Sequence, residues 1–189
     1  MKPTGKLVVM AGPSAVGKGT LASYIVSNFE GFVLSVSATT RSPREGEVDG
    51  ISYVFLDEEE FKARADSGQM LEWATVHGKH SYGTPRGPVE QGLAGGSNVI
   101  LEIDVQGAAQ VLERVPDCLF ILLEPPSAEV QAERLRGRGD PPEQAERRIA
   151  VAQAELAEGR RLGAVCIVND DLDRTVAEVE GLIAEHRSV

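Results

Sequence analysis

Hydrophobic residues along the chain gather into short runs divided by polar, glycine-bearing turns. The longest runs, Leu7–Ala11 and Cys118–Leu123, are wholly apolar. Runs of this length suit strands buried on both faces and are far too short to cross a bilayer. Phe32–Val36, Asn98–Ile103 and Ala164–Val168 read as further strands, and Lys6 opens the first one. Between them the apolar spacing lengthens to that of helices. These are predicted after Gly19 to about Asn28, near Val105–Arg114, from Ser127 to about Arg138, roughly over Glu143–Arg160, and from Asp171 to about His186. Strands alternating with helices predict an α/β fold, a parallel five-stranded sheet flanked by helices on both faces.

Residues 37–86 break this rhythm. Polar turns (Arg44-Glu45-Gly46-Glu47, Asp49-Gly50) alternate with short strand-like pieces such as Ile51–Leu56. One helix is predicted there. Asp57 suits an N-cap, Glu60 stands three positions on as in a capping box, and Gly68 suits the close. The acidic run Asp57–Glu60 therefore reads as charge placed at a helix N-terminus, not as metal ligands. The whole stretch is expected to be an insertion at one end of the sheet, within a single domain over residues 1–189.

Composition narrows the classes. The chain has 189 residues, 42% hydrophobic and 25% charged, an ordinary globular mix. Met1–Lys6 lead straight into the first strand without a signal-peptide core, so a cytoplasmic location is expected. Cys118 and Cys166 both lie in apolar stretches and are expected to be reduced core residues, not a disulfide. A net charge of −10 argues against nucleic acid and anionic membrane as partners. A small anionic substrate stays compatible, because basic residues cluster: Arg41 with Arg44, Arg134 with Arg136 and Arg138, Arg147 with Arg148.

The sharpest motif is Gly12-Pro13-Ser14-Ala15-Val16-Gly17-Lys18-Gly19-Thr20, set between a buried strand and a helix. In that context the glycines let backbone N–H groups turn toward phosphate oxygens, and Lys18 adds a mobile charge for β/γ-phosphates. One position departs from the strict pattern. The hydroxyl residue that usually follows the lysine is Gly19, and Thr20 comes one place later. This variant is familiar among nucleoside monophosphate kinases. A guanine-reading Asn-Lys-x-Asp is missing, which argues against a GTPase. With Gly19 bare, a metal is expected to ride on the nucleotide phosphates and water, with no ligand set of the protein's own.

Further motifs follow in order. Ser37-Ala38-Thr39-Thr40-Arg41-Ser42-Pro43-Arg44-Glu45-Gly46-Glu47-Val48-Asp49-Gly50 is followed by Tyr53, then Leu71-Glu72-Trp73-Ala74, Tyr82-Gly83-Thr84, Leu101–Gly107 and Ile167–Asp171. At these spacings the chain closely resembles the guanylate kinase family over essentially its whole length. The resemblance implies a P-loop NTPase fold with a core (1–36 and 87–189), a GMP-binding insertion (37–86) and a lid at about 138–148. It implies transfer of the ATP γ-phosphoryl group to GMP, giving ADP and GDP, with Mg²⁺ bound with ATP. It assigns the GMP phosphate to Arg41, Arg44, Tyr53 and Tyr82, and the base to Glu72, Ser37 and Thr84. Glu102 is implied to help hold GMP. Arg134, Arg138 and Arg148 match lid arginines that close over the triphosphate, with Arg147 as the alternative to Arg148. Asp104 either orients metal-bound water or an arginine, or caps the next helix.

The chemistry suits those types. Guanine offers an N1–H and an exocyclic amine side by side, and one carboxylate can accept from both. Adenine would leave such a buried carboxylate unpaired, which is how selectivity arises. A ribosyl bisphosphate kinase would not need Glu72, Ser37 and Thr84 together. A guanylate-kinase-like binding module would be expected to lack some of Lys18, Arg41, Arg44 and Glu72. His77 and His80 form a His-x-x-His with no third ligand nearby, and are expected to be solvated loop residues rather than a zinc site.

Overall fold

In the strand Leu7–Ala11 (β1), successive side chains enter different cores. Leu7, Val9 and Ala11 face one cluster, Val8 and Met10 the other. That period-two division, with no polar side, marks a strand buried between two helical layers. The computed structural model describes residues 5–76, 79–139 and 141–186. The neighbours of β1 are Asn98–Glu102 (β7) and Leu119–Glu124 (β8), flanked in turn by Phe32–Leu34 (β2) and Val165–Val168 (β9). The order is β2-β7-β1-β8-β9, and every pairing is parallel. The expected five-stranded sheet is present.

Helices cover both faces. Lys18–Asn28 (α1) and Leu172–Glu185 (α7) seal one through Leu21, Ala22, Ile25, Val176, Val179 and Ile183. Val105–Arg114 (α4) and Pro142–Arg161 (α6) cover the other, with Val105, Ala108, Val111 and Leu156. Gly159 on α6 lets the helix approach the sheet closely, since a Cβ there would stand 2.7 Å from the Leu122 side chain. Between α4 and α6 in sequence, Ala128–Gly137 (α5) follows β8 and packs on α6 through Leu135 and Ala145.

Residues 38–85 build a second sheet from Ala38–Thr39 (β3), Val54–Phe55 (β4), Met70–Val76 (β5) and His80–Pro85 (β6), in the order β4-β3-β6-β5. The predicted helix spans Glu58–Asp66 (α2). Asp57 caps it by accepting from the Glu60 N–H at 2.7 Å, while the Glu60 side chain pairs with Arg64 and not with the cap. Four features differ from expectation. The strand expected over Ile51–Leu56 shrinks to β4, because residues 48–52 form a turn that leaves Ile51 74% exposed. The antiparallel β5–β6 hairpin was not foreseen as strands. Nor was Arg86–Ala94 (α3), a helix carrying Gly87, Pro88 and Gly92 and burying only Val89. Cys118 is buried as expected, but Cys166 is exposed. The reason is its strand: β9 is the sheet's outer edge, with only Ile167 of its four residues buried.

Helix α4 joins the two sheets. Gln110 accepts from the Trp73 N–H at 3.3 Å and donates to its carbonyl at 2.8 Å, and Arg114 donates to the Leu71 carbonyl. No helix among the described residues is long and apolar enough to cross a membrane.

Two glycine substitutions should have opposite signs. Gly159→Ala adds a methyl against buried Leu122 and should destabilise by about 1–3 kcal/mol. Gly181→Ala on α7, where nothing stands within 4 Å, should stabilise by up to about 1 kcal/mol through helix propensity. Urea unfolding of both variants checks the pair.

Candidate active site

The loop after β1 is shaped for close backbone approach. Gly12 has φ +146° and Gly17 φ +103°, and Ala15, at φ +62°, is the one non-glycine with positive φ among the described residues. A Cβ on Gly12 would stand 2.4 Å from the Leu123 carbonyl oxygen, and one on Gly17 2.4 Å from the Asn169 amide nitrogen. Neither position admits a side chain. The loop is also held from outside. The Gln131 amide donates to the Ser14 carbonyl at 2.9 Å, and the Asn169 amide donates to the Val16 carbonyl at 2.8 Å. Arg134 donates to the carbonyls of Val16 and Asn169 at 3.2 and 3.0 Å. Carbonyls thus point outward to side chains, while α1 begins at Lys18 with no side-chain cap on its first N–H groups. Uncapped N–H groups at a helix start favour an anion.

Lys18 folds over the loop, its Nζ donating to the Gly12 and Pro13 carbonyls at 2.6 and 3.3 Å. Burial lowers its pKa from the ordinary lysine value, against the pull of Glu102, Glu155 and Asp104. Three carboxylates therefore oppose the effect of burial on this ammonium group.

A cavity of about 460 Å³ connects this loop to the second sheet, lined by Ser14, Lys18, Ser37, Tyr53, Glu72, Tyr82, Glu102, Asp104 and Arg148 among others. Nine residues singled out from the sequence thus meet at one place, drawn from the loop and helix start after β1, the C-terminal end of β7, the insertion and α6. Open α/β sheets bind ligands at such strand ends. Glu72 is only 5% exposed, and Thr84, its partner across the β5–β6 hairpin, donates to it at 2.7 Å. Burial raises the Glu72 carboxyl to about 7, with Thr84 opposing and Asp104 adding to the rise. Tyr53 and Tyr82 stand edge to face at 6.0 Å, and burial raises the Tyr53 phenol. Arg41 stacks over the Tyr53 ring at 5.5 Å and is gripped through both Nη nitrogens by Glu47, at 2.7 and 2.9 Å. The Arg41 side chain and the Arg44 N–H hold the Glu47 carboxyl down at about 2.

Other candidates lie apart. Arg44 is exposed. Arg134 and Arg138 share a second recess of about 320 Å³ with Gly17, Thr20, Asn169 and Asp170, so the three expected lid arginines are divided between two recesses. Arg147 is exposed on α6. Asp104 accepts from the Gly107 N–H at 2.7 Å and so caps α4, while its side also lines the main cavity. His77 lies outside the described residues, and His80 is exposed at the start of β6. Gln131, Asn169, Glu155 and Glu47 were not singled out as site residues. Of these only Asn169 and Glu47 stood inside quoted motifs; Gln131 and Glu155 carry no local signal. A larger recess, about 900 Å³, lies elsewhere, between β2, α3 and the second sheet, and touches none of this chemistry.

A parallel sheet with this loop and an acid-and-arginine cavity facing it defines a P-loop nucleotide-binding phosphotransferase. A family model described as guanylate kinase matches residues 4–186. The chain is 47% identical over 188 residues to a guanylate kinase of Symbiobacterium thermophilum, covering 99% of this chain and 88% of that one. It is 48% identical over 182 residues to a guanylate kinase of Synechocystis sp., covering 96% and 94%. A crystal structure of guanylate kinase from Anaplasma phagocytophilum superposes with TM-score 0.75 at 32% identity, covering all of this chain and 90% of that one. The chain belongs to the guanylate kinase family.

Burying Glu72 has a signature in stability. Its folded pKa lies above the unfolded value, so proton binding favours the fold. The favourable contribution is complete below pH 4.5 and is lost as pH rises through about 7. Glu72→Gln should abolish that loss and raise neutral-pH stability by roughly 3 kcal/mol at most. Melting curves at acid and neutral pH should converge in the variant.

Proposed function

We propose that the chain transfers the γ-phosphoryl group of ATP to GMP, with the phosphate loop serving ATP and the inserted sheet serving GMP. The observation that carries this reading is the single cavity shared by Lys18 and Glu72. Ser37, Glu72 and Thr84 read the guanine edge, Glu72 accepting from its two adjacent donors. Arg41, Arg44, Tyr53 and Tyr82 hold the phosphate, and Glu102 borders both nucleotides. Residues 12–20 hold the ATP phosphates; Thr20, in the second recess, serves a phosphate and not the metal. Lys18 and Arg148, from the main cavity, and Arg134 and Arg138, from the recess beside it, neutralise charge on the moving group. Catalysis is then positioning plus electrostatics, since the acceptor phosphate is already ionised and needs no general base.

The family's reaction implies a divalent metal, and Mg²⁺ bound with ATP suits the oxygen donors here. No group of three or more His, Cys, Asp or Glu among the described residues could hold an ion by itself. A Cβ on Gly19 would stand 3.3 Å from a Glu102 carboxylate oxygen, so hard oxygens border the loop where the side-chain hydroxyl is missing. This fits an ion carried on the nucleotide phosphates and water, with Glu102 and Asp104 as outer acceptors. Bound there, it offsets negative charge on the β- and γ-phosphates. Residues 37–86 act as the GMP-binding part, residues 1–36 and 87–189 as the core and about 138–148 as the lid. A cytoplasmic location agrees with this metabolism, and the net charge of −10 with nucleic acid and membrane not being partners.

An assay of ADP release with GMP, AMP, CMP and UMP tests the reading: GMP alone should turn over rapidly, and comparable rates with AMP would sink it. Glu72→Gln should weaken GMP by roughly 1.5–3 kcal/mol and leave ATP nearly unchanged. Because Glu72 titrates near 7, GMP binding should release protons below that pH, seen as a buffer-dependent heat. Lys18→Ala should remove most turnover while GMP affinity stays close to wild type. A variant with normal kcat and a raised KM for GMP alone would mean that the lysine serves the acceptor.

A further inference from the structure

Glu47 grips two groups at once. Its Oε1 accepts from Arg41 Nη2 at 2.7 Å; its Oε2 accepts from Arg41 Nη1 at 2.9 Å and from the Arg44 backbone N–H at 2.7 Å. Its own N–H donates to the Arg44 carbonyl at 3.1 Å, closing the turn. Arg41 Nη1 also donates to the Ser42 carbonyl at 2.7 Å. Both Nη nitrogens are therefore engaged toward the loop. The guanidinium plane meanwhile lies over Tyr53 at 5.5 Å and Phe55 at 5.9 Å, with Tyr82 beside it. Two parallel charge-assisted bonds fix direction as well as supplying energy. The paired side chains are only 12% and 21% exposed, so water screens them less than an ordinary surface pair. The cavity wall includes Tyr53 and Tyr82 but neither Arg41 nor Glu47; Arg41 meets that wall through the Tyr53 ring on which it stacks, and Glu47 meets it only through Arg41.

We propose that Glu47 is a positioning residue for the phosphate clamp, ordering residues 41–47 and aiming the remaining edge of Arg41 at a phosphate held between Tyr53 and Tyr82. The inference rests on the assignment of Arg41, Tyr53 and Tyr82 to the GMP phosphate. An arginine on an unbraced loop would lose side-chain and loop freedom when it grips a ligand. Glu47 removes that freedom beforehand. It acts through Arg41 and has no need to touch the nucleotide.

The test compares GMP with guanosine, which carries the same base and no phosphate. Glu47→Gln keeps the side chain's shape but leaves one oxygen for the fork. The Kd for GMP should rise on the order of tenfold. The Kd for guanosine, the KM for ATP and the melting temperature should stay close to wild type. Glu47→Asp, which keeps the charge with a shorter reach, should fall between. Unchanged or tighter GMP binding in Glu47→Gln, or equal losses for GMP and guanosine, would overturn the proposal. Arg41→Ala separates the two layers. If it leaves GMP affinity intact, the clamp assignment itself is wrong; if it weakens GMP while Glu47→Gln does not, only the positioning role is wrong.

Discussion

The contact on which the site depends is the seam between α4 and β5. Three residues on one face of α4, at spacings of three and four, meet β5 on either side of Glu72. Gly107, lacking a side chain, leaves room for the Glu72 carboxylate, Gln110 holds both backbone groups of Trp73, and Arg114 holds the Leu71 carbonyl. A Cβ on Gly107 would stand 2.7 Å from Glu72 Oε2, so any side chain there would evict the acid. Through this seam the inserted sheet is fixed to the core at the residue proposed to read the base. Its far end, with Arg41 and the turn at residues 48–52, is held by local hydrogen bonds instead. Tied to the core beside Glu72 and braced locally around Arg41, the insertion is held in two different ways along its length.

The phosphate loop follows a different logic. A loop that aims its N–H groups at a ligand must place its carbonyls elsewhere, and buried carbonyls need donors. Gln131 and Arg134 of α5, with Asn169 after β9, are those donors. They lie more than a hundred residues from the loop in sequence, yet they decide whether its conformation is affordable. Gly12 and Gly17 are demanded by the same packing, since Leu123 and Asn169 occupy the space where their side chains would stand. Loop glycines and distant amides are two halves of one constraint.

Which parts were legible in the sequence follows from this. Strands buried on both faces announce themselves as apolar runs, so β1, β7 and β8 were placed to within a residue or two. Asp57 and Ser127 marked helix starts because capping is local chemistry. The β5–β6 hairpin and α3 were not legible. Their residues alternate poorly, their burial comes from packing on α4 and β7, and Gly87, Pro88 and Gly92 disguise a helix. Cys166 misled because an apolar tetrad reads alike in a central and an edge strand, and only the sheet order separates them. Among the proposed site residues, motif spacing picked out nine that line one cavity. It missed Gln131 and Glu155, whose roles exist only in three dimensions, and it gave Glu47 no task.

An acidic protein that handles polyanions must confine its positive charge. Lys18 is buried and its ammonium form is disfavoured by that burial, yet Glu102, Glu155 and Asp104 pull the other way. The same carboxylates would repel phosphate if they stood alone. Their effect is to oppose part of what burial does to the lysine, while the loop's N–H groups and the arginines from α5 and α6 are the groups proposed to attract phosphate. Glu72 is the counterpart at the other end of the cavity. There burial disfavours the carboxylate, and among the described residues Thr84 is its donor. One buried charge is sustained by its neighbours and the other is left wanting donors. A base edge offering two adjacent N–H groups would supply what Glu72 lacks, so on the proposed reading the cost of burying the unliganded acid is the source of discrimination.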